Sequence, residues 1–160
     1  EAIGLHSGGY PPIMRNQFRY HGGRFMCGQV NILLALTNIG PGDGGTMLIP
    51  GSHKSNFKHP QYDEHRMSKD ATVEGTEGAI EVQMKAGDAL LFVDGISHGS
   101  AKRAKEGQRR IAVYRYGPSW GNFHHGYQPS PELLERLTPQ RRKIVQPLTP
   151  ISREPQKKTP

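Results

Sequence analysis

Short apolar runs separated by glycine-rich turns dominate the first 117 residues of this 160-residue chain. The run at 30–37 (VNILLALT) leads through the turn NIGPGDGG into a second run that starts at Thr46 (TMLIPGSH). Asp-Gly and Gly-Gly pairs are strong turn signals between strands. The pattern therefore predicts two strands joined by a tight connection.

Further along the chain, apolar and polar positions continue to follow the period of β-strands. Apolar residues alternate with polar ones over 80–84, which predicts a strand with one buried face. The uniformly apolar run at 89–93 (ALLFV) predicts a buried strand. In the next run, 111–116, alternation places the odd-numbered residues, including Arg115, on one face.

The remaining segments predict a loop, two short helices and a tail. Residues 54–76 are polar and aperiodic, which is typical of a functional lid. Ser-Pro at 130–131 and Thr-Pro at 138–139 are N-cap signals for short helices. The proline-rich end of the chain predicts an extended, basic tail.

These elements predict an all-β fold of the jelly-roll (double-stranded β-helix, cupin-like) class, followed by short helices and a tail. We place the jelly-roll core at 1–127 and the helices with the tail at 128–160. The chain starts with Glu1 and not with methionine, so we expect a fragment whose N-terminal part is missing.

Composition narrows the class of protein only slightly. Hydrophobic residues make up 34%, and 20 glycines with 13 prolines disfavour a helical bundle. The single cysteine, Cys27, leaves no internal disulfide and predicts a reducing, cytoplasmic location. No apolar stretch is long enough to cross a bilayer, so no membrane partner is expected.

The net charge of +7 is concentrated in two places. Residues 101–110 carry five cations and one anion, and residues 130–160 carry seven cations and three anions, so each segment contributes +4. The rest of the chain therefore sums to −1. Because basic tails are usually solvated, nucleic acid is an improbable partner.

Among the eight histidines, His98 has the most suggestive position. It follows the run at 89–93 and precedes Gly99 and Ser100, which leave space beside its ring. Ligand sites form where strands end at the mouth of a barrel. From the residues alone, a metal ligand and a buried core histidine are equally compatible with this position.

Two segments carry a family resemblance. Residues 42–56 (GDGGTMLIPGSHKSN) and 86–116 (AGDALLFVDGISHGSAKRAKEGQRRIAVYRY) resemble the phytanoyl-CoA dioxygenase family, whose members are non-haem iron, 2-oxoglutarate-dependent oxygenases on a double-stranded β-helix. The resemblance extends over roughly residues 1 to 117. It implies that His98 binds Fe(II) and that Arg109, eleven residues later, binds 2-oxoglutarate with Ser100.

The chemistry of such a site explains these residue types. Iron(II) that must also bind a keto acid and O2 takes three protein ligands on one side, typically two imidazoles and a carboxylate. The planar fork of arginine suits the far carboxylate of 2-oxoglutarate. We expect His98 and Arg109 to face each other across neighbouring strands, with Arg110 as the alternative if the strand register slips by one residue.

The other ligands implied by the resemblance are less clear in the sequence. The family carries a His-x-Asp pair upstream, and His6-Ser7-Gly8 occupies about that place but lacks the acid. His21, followed by Gly22-Gly23, is the alternative proximal ligand. His53, in the Pro-Gly-Ser-His segment, fits either a surface turn or a supporting position behind the metal site.

Three explanations of the missing carboxylate stay open. Asp63 or Glu64 of the lid could supply it, the position could be left to water or chloride as in related halogenases, or the chemistry could be lost. Asp94 is four residues before His98, about 13 Å away on an extended strand, which is too far for one metal unless the chain bends at Gly95.

The sequence thus predicts a dioxygenase that uses Fe(II), 2-oxoglutarate and O2 to hydroxylate a small organic substrate. Beyond the metal site, no further catalytic residue is predicted. The alternatives are a non-catalytic or carboxylate-lacking member of the same fold that binds a small acid, and a nucleic-acid-binding module that uses the basic tail. Oligomeric state is not predicted.

Overall fold

Strands in antiparallel sheets make up most of the regular structure, as the predicted jelly-roll class requires. The computed structural model describes residues 2–7, 17–55, 57–66, 71–118 and 127–147. In those ranges the strands are β1 (Phe18–His21), β2 (Arg24–Cys27), β3 (Val30–Ala35), β4 (Thr46–Leu48), β5 (Ile80–Val82), β6 (Ala89–Val93), β7 (His98–Ser100) and β8 (Ile111–Tyr116).

Two three-stranded sheets form the body of the first of two compact units, Glu1–Tyr116. One sheet has the order β6-β3-β8 and the other has the order β5-β4-β7. Leu48 and Phe92, one from each sheet, belong to a single buried cluster together with Ile96. The packing of these side chains joins the two sheets and confirms the predicted fold class.

The tight connection predicted between β3 and β4 is present, but it leads from one sheet to the other. Asp43 does form the predicted turn, since its carboxylate accepts a hydrogen bond from the Gly40 N–H at 2.9 Å. However, β3 pairs with β6 and β8, whereas β4 pairs with β5 and β7. The two strands are therefore not a hairpin. Turn residues determine where the chain reverses, and the pairing is decided by long-range packing.

The prediction that the run 89–93 is buried is also wrong in part. Phe92 is 8% exposed, but Leu91, on the opposite face of β6, is 65% exposed. In an antiparallel sheet only one face needs to be covered, so a fully apolar strand can still present one face to solvent.

The segment that contains His6 extends the second sheet beside β7. His6 and His98 form an antiparallel bridge with two backbone hydrogen bonds of 2.9 Å each. Gly99 permits this close approach, because a Cβ there would lie 2.5 Å from the carbonyl oxygen of Ile3 and 2.7 Å from that of Gly4. The first described segment of the chain is thereby held next to the start of β7.

A hairpin that the sequence analysis missed is formed by β1 and β2. Its two-residue turn consists of Gly22 and Gly23, at φ values of 58° and 77°. A Gly-Gly pair between two short apolar segments is the signal that favours such a turn.

Three short helices complete the described structure: α1 (Tyr62–His65), α2 (Pro131–Arg136) and α3 (Pro139–Ile144). The predicted N-caps are confirmed, since the Ser130 hydroxyl accepts from Leu133 N–H and the Thr138 hydroxyl accepts from Arg141 N–H. Helices α2 and α3 belong to the second compact unit, Gly117–Pro160. Within the described ranges, no helix is long and apolar enough to cross a membrane. The tail beyond residue 147 lies outside the described residues.

Candidate metal and cosubstrate site

A cavity of about 320 Å³ lies between the two sheets of the first unit. Its walls combine aliphatic side chains with a few polar and cationic ones, which is typical of a small-molecule site. The lining residues are Ile3, His6, Asn31, Leu33, Thr46, Phe92, His98, Gly99, Ser100, Arg109, Ile111, Val113 and Arg115. The cavity thus brings together four residues that the sequence singled out: His6, His98, Ser100 and Arg109.

The two histidine rings lie side by side, with their centroids 4.1 Å apart. The Nδ1 atom of His6 is 2.9 Å from the carbonyl oxygen of Gly4, and that of His98 is 2.8 Å from the carbonyl oxygen of Ile96. A carbonyl oxygen only accepts hydrogen bonds, so each Nδ1 must carry the proton. In its neutral form each ring therefore carries its lone pair on Nε2, the arrangement found in histidines that bind metals.

Burial keeps the His98 imidazole neutral. Desolvation and the nearby His6 lower the pKa of His98 to about 4, although the hydrogen bond to Ile96 and the charge of Asp94 act in the opposite direction. The Phe92 ring packs against the imidazole with a centroid distance of 4.9 Å. A neutral imidazole can donate its lone pair to a metal at neutral pH without first losing a proton.

Arg109 and Ser100 lie in the same cavity. Arg109 is half-buried and donates to the carbonyl oxygen of Gly44, and burial lowers its pKa. Ser100 is 2% exposed, and its hydroxyl accepts the Ile3 N–H at 2.8 Å. By contrast, the exposed Arg110 donates to the Gln108 side chain at 2.9 and 2.7 Å. The strand register therefore directs Arg109, and not Arg110, into the cavity.

The predicted relation between His98 and Arg109 needs a correction. His98 begins β7, which pairs with β4, and Arg109 precedes β8, which pairs with β3. The two residues thus belong to opposite sheets and line the cavity from its two walls, not from neighbouring strands. The chain changes sheet between β6 and β7 and again between β7 and β8, which spacing along the chain does not reveal.

In the described ranges, no group of three His, Cys, Asp or Glu side chains could hold a metal ion. The lid carboxylates Asp63 and Glu64 are exposed on α1, and Asp63 pairs with Lys58. Gly8 lies outside the described residues. A third protein ligand beside His6 and His98 is therefore not identified among the side chains that the structure describes.

Asp94 is closer to His98 than an extended strand would place it. The chain turns directly after Val93, since the Ile96 N–H donates to the Val93 carbonyl oxygen at 3.0 Å. The Asp94 carboxylate accepts from the Asn31 side-chain amide at 2.7 Å. The expected bend at Gly95 is thus present, and Asp94 is engaged with a neighbouring strand.

The other two candidate histidines lie elsewhere. His21 is exposed at the end of β1 and does not line the cavity. His53 follows β4 in a 3-10 turn and contacts Phe18 edge-on, with ring centroids 4.6 Å apart. Its Nδ1 is buried without a partner among the described residues, and burial lowers its pKa. His53 also does not line the cavity.

Ser52 is a functional candidate that the sequence analysis missed. Its hydroxyl donates to the Ile49 carbonyl oxygen at 2.7 Å and accepts the Ser97 N–H at 2.8 Å. The Ile49 N–H in turn donates to the Ser97 carbonyl oxygen at 2.9 Å. The Pro-Gly-Ser turn therefore holds the residue directly before His98, and that motif was the available signal.

Comparison with known proteins agrees with this geometry. Residues 12–111 match the phytanoyl-CoA dioxygenase (PhyH) family. Dioxygenase aneA of Aspergillus aculeatus is 32% identical over 118 residues, 72% of this chain and 36% of that protein. Dioxygenase cdmD of Talaromyces verruculosus is 26% identical over 117 residues, 72% of this chain and 35% of that protein. The chain thus spans about a third of the length of these curated relatives.

Solved structures of HygX from Streptomyces hygroscopicus have the same fold. The structure with iron bound is 29% identical, with a TM-score of 0.61 over 74% of this chain and 53% of HygX. The structure with nickel and 2-oxoglutarate bound is 26% identical, with a TM-score of 0.60 over 74% of this chain and 51% of HygX.

Proposed function

This chain belongs to the phytanoyl-CoA dioxygenase family, and from that premise we propose that it contributes the metal and cosubstrate site of an Fe(II)/2-oxoglutarate-dependent dioxygenase that hydroxylates a small organic substrate. One observation carries the proposal: His6 and His98, both with Nδ1 bonded to a carbonyl oxygen, share a cavity with Arg109.

In this proposal each residue has a separate task. His98 and His6 bind iron through Nε2, because their Nδ1 atoms are already engaged. Arg109 binds the far carboxylate of 2-oxoglutarate, and the Ser100 hydroxyl adds a hydrogen bond. When bound, iron and 2-oxoglutarate supply the oxidising chemistry with O2, and the protein supplies position and the exclusion of water.

The apolar part of the cavity supports the same function. Leu33, Phe92 and Val113 line it on one sheet, so a hydrocarbon group can lie beside the two histidines. Of these three side chains only Phe92 is fully buried, at 8% exposure, and Phe92 is the one that packs against the His98 ring. His21 and His53 have no task in this site, because neither lines the cavity.

Binding of the metal together with the keto acid tests the proposal. Under anaerobic conditions, iron(II) and 2-oxoglutarate added to the chain should produce the weak charge-transfer absorption of such complexes near neutral pH. His98→Ala should abolish this absorption, because one imidazole alone does not hold the metal. His59→Ala, which changes a histidine outside the cavity, is the matched control and should leave the absorption intact.

If His98→Ala bound iron and 2-oxoglutarate as well as the unchanged chain, His98 would not be a ligand. Absorption that is also missing in the unchanged chain, despite a normal unfolding transition, would contradict the proposed function itself.

A further inference from the structure

The cavity contains a second arginine that the proposed metal and cosubstrate site does not use. Arg115 lies on the cavity face of β8, together with Ile111 and Val113. Arg109 precedes the same strand and lines the same cavity. Six residues of extended chain span about 20 Å, so Arg109 and Arg115 mark opposite ends of the cavity.

The two histidines lie toward the Arg115 end. Asn31 is the register partner of both Arg115 and Phe92, and the Phe92 ring lies 4.9 Å from the His98 ring. Arg115 is thus beside the position that the metal would occupy.

The other end of the cavity belongs to Arg109. Its guanidinium donates to the carbonyl oxygen of Gly44, two residues before Thr46. Thr46 pairs with Ser100 in the register of β4 and β7. A keto acid that extends from the histidines to Arg109 would therefore leave Arg115 without a role in holding it.

Arg115 is an exposed, positively charged side chain at the cavity wall. In the described part of the chain its guanidinium joins no ion pair, since the pairs there are Lys58–Asp63, Arg103–Asp43 and Lys105–Asp43. Beside it is Asn31, which is only 3% exposed and gives one of its two amide hydrogens to Asp94. An arginine fork and an amide N–H at a cavity wall are suited to bind a carboxylate.

We propose that Arg115, assisted by Asn31, binds a carboxylate of the substrate next to the metal position, so that the substrate is a small organic acid. This inference rests on the proposed function. The aliphatic side chains between the two arginines suit the hydrocarbon part of such an acid. One guanidinium balances the single charge of a carboxylate, whereas a phosphate monoester carries close to two charges.

The first measurement separates the two arginines. We expect the affinity of the nickel-loaded chain for 2-oxoglutarate, measured by calorimetry, to fall by about tenfold or more in Arg109→Gln, because a charge-assisted hydrogen bond is lost. Arg115→Gln should leave this affinity unchanged. An equal loss in Arg115→Gln would assign Arg115 to the cosubstrate and overturn the inference.

The second measurement uses phenylacetate and phenylacetamide, two probes of the same shape of which only one is charged. Binding to the chain loaded with nickel and 2-oxoglutarate is followed by calorimetry. The acid should bind about tenfold or more tightly than the amide. Arg115→Gln should remove this preference and Arg115→Lys should restore part of it. Arg110→Gln, on the other face, is the matched control and should keep the preference.

Equal binding of acid and amide to the unchanged chain would overturn the inference, and so would a preference that survives in Arg115→Gln. The same comparison can be made without metal in Arg109→Gln, where Arg115 is the remaining cavity arginine. Suppose that the unchanged chain binds no 2-oxoglutarate, so that the proposed function fails. Tighter binding of phenylacetate than of phenylacetamide by metal-free Arg109→Gln would then still support carboxylate binding by Arg115.

Discussion

His98 links the stability of the fold to the chemistry of the candidate site. Burial beside His6 and Phe92 keeps this imidazole neutral and lowers its pKa to about 4. Because burial keeps the imidazole unprotonated at neutral pH, the lone pair on Nε2 is available to a metal. No carboxylate needs to orient the ring, because the carbonyl oxygen of Ile96 does so.

A pH dependence of stability follows from this pKa. Because the unfolded chain binds a proton at His98 near pH 6.5 and the folded chain only near pH 4, the contribution is fully present above about 6.5 and is lost as the pH falls toward 4. Between pH 7.5 and 4.5 the metal-free chain should lose about 2 to 3 kcal/mol from this group. Urea unfolding at both pH values measures the loss.

The control for this prediction is His98→Gln, which removes the titrating group and keeps a side-chain donor. The loss between pH 7.5 and 4.5 should be smaller in this variant by the contribution of His98. An identical loss in both proteins would show that other groups cause the acid sensitivity.

At the scale of elements, the close contact between β7 and the segment that carries His6 is what assembles the candidate site. A Cβ at position 99 would lie 2.5 Å from the Ile3 carbonyl oxygen, so the two backbones could not keep their spacing. We expect Gly99→Ala to destabilise the fold by about 1 to 3 kcal/mol or more and to weaken nickel binding, because His6 is displaced.

Gly40→Ala is the matched control for Gly99→Ala. A Cβ at position 40 would meet no atom closer than 3.8 Å, the distance to the Asp43 carboxylate. Chemical unfolding and nickel titration of the two variants check the prediction. Unchanged nickel affinity in a folded Gly99→Ala protein would mean that His6 does not hold the metal.

Local signals predicted a large part of this arrangement. The alternation in 111–116 placed Arg115 on one face with Ile111 and Val113, and all three line the cavity. The glycine after His98 was expected to leave open space, but the backbone of Ile3 and Gly4 lies against it. The turn residues indicated the connection between β3 and β4 but not that the two strands belong to different sheets, because turn residues do not determine which sheet a strand joins. The Pro-Gly-Ser motif marks the turn that contains Ser52, but its contact with residue 97, 45 positions away, is not indicated by any local pattern.

At the scale of the whole molecule, one of the two basic segments lies outside the unit that forms the cavity. All residues that line the cavity fall within the first unit, Glu1–Tyr116. The segment 130–160, in the second unit, carries seven cations and three anions. Affinity for nucleic acid that comes from this segment should fall steeply with added salt, since it would depend on contacts with phosphates.

Truncation after Pro118 separates the two properties. The shortened chain loses the excess of four positive charges in 130–160 but keeps His6, His98 and Arg109. We expect nickel and 2-oxoglutarate to bind as they do to the full chain, and binding to a duplex DNA probe to weaken. Loss of 2-oxoglutarate binding in a truncated chain that still unfolds cooperatively would mean that the second unit contributes to the site. Unchanged, sequence-selective DNA binding would instead place a nucleic-acid surface on the first unit.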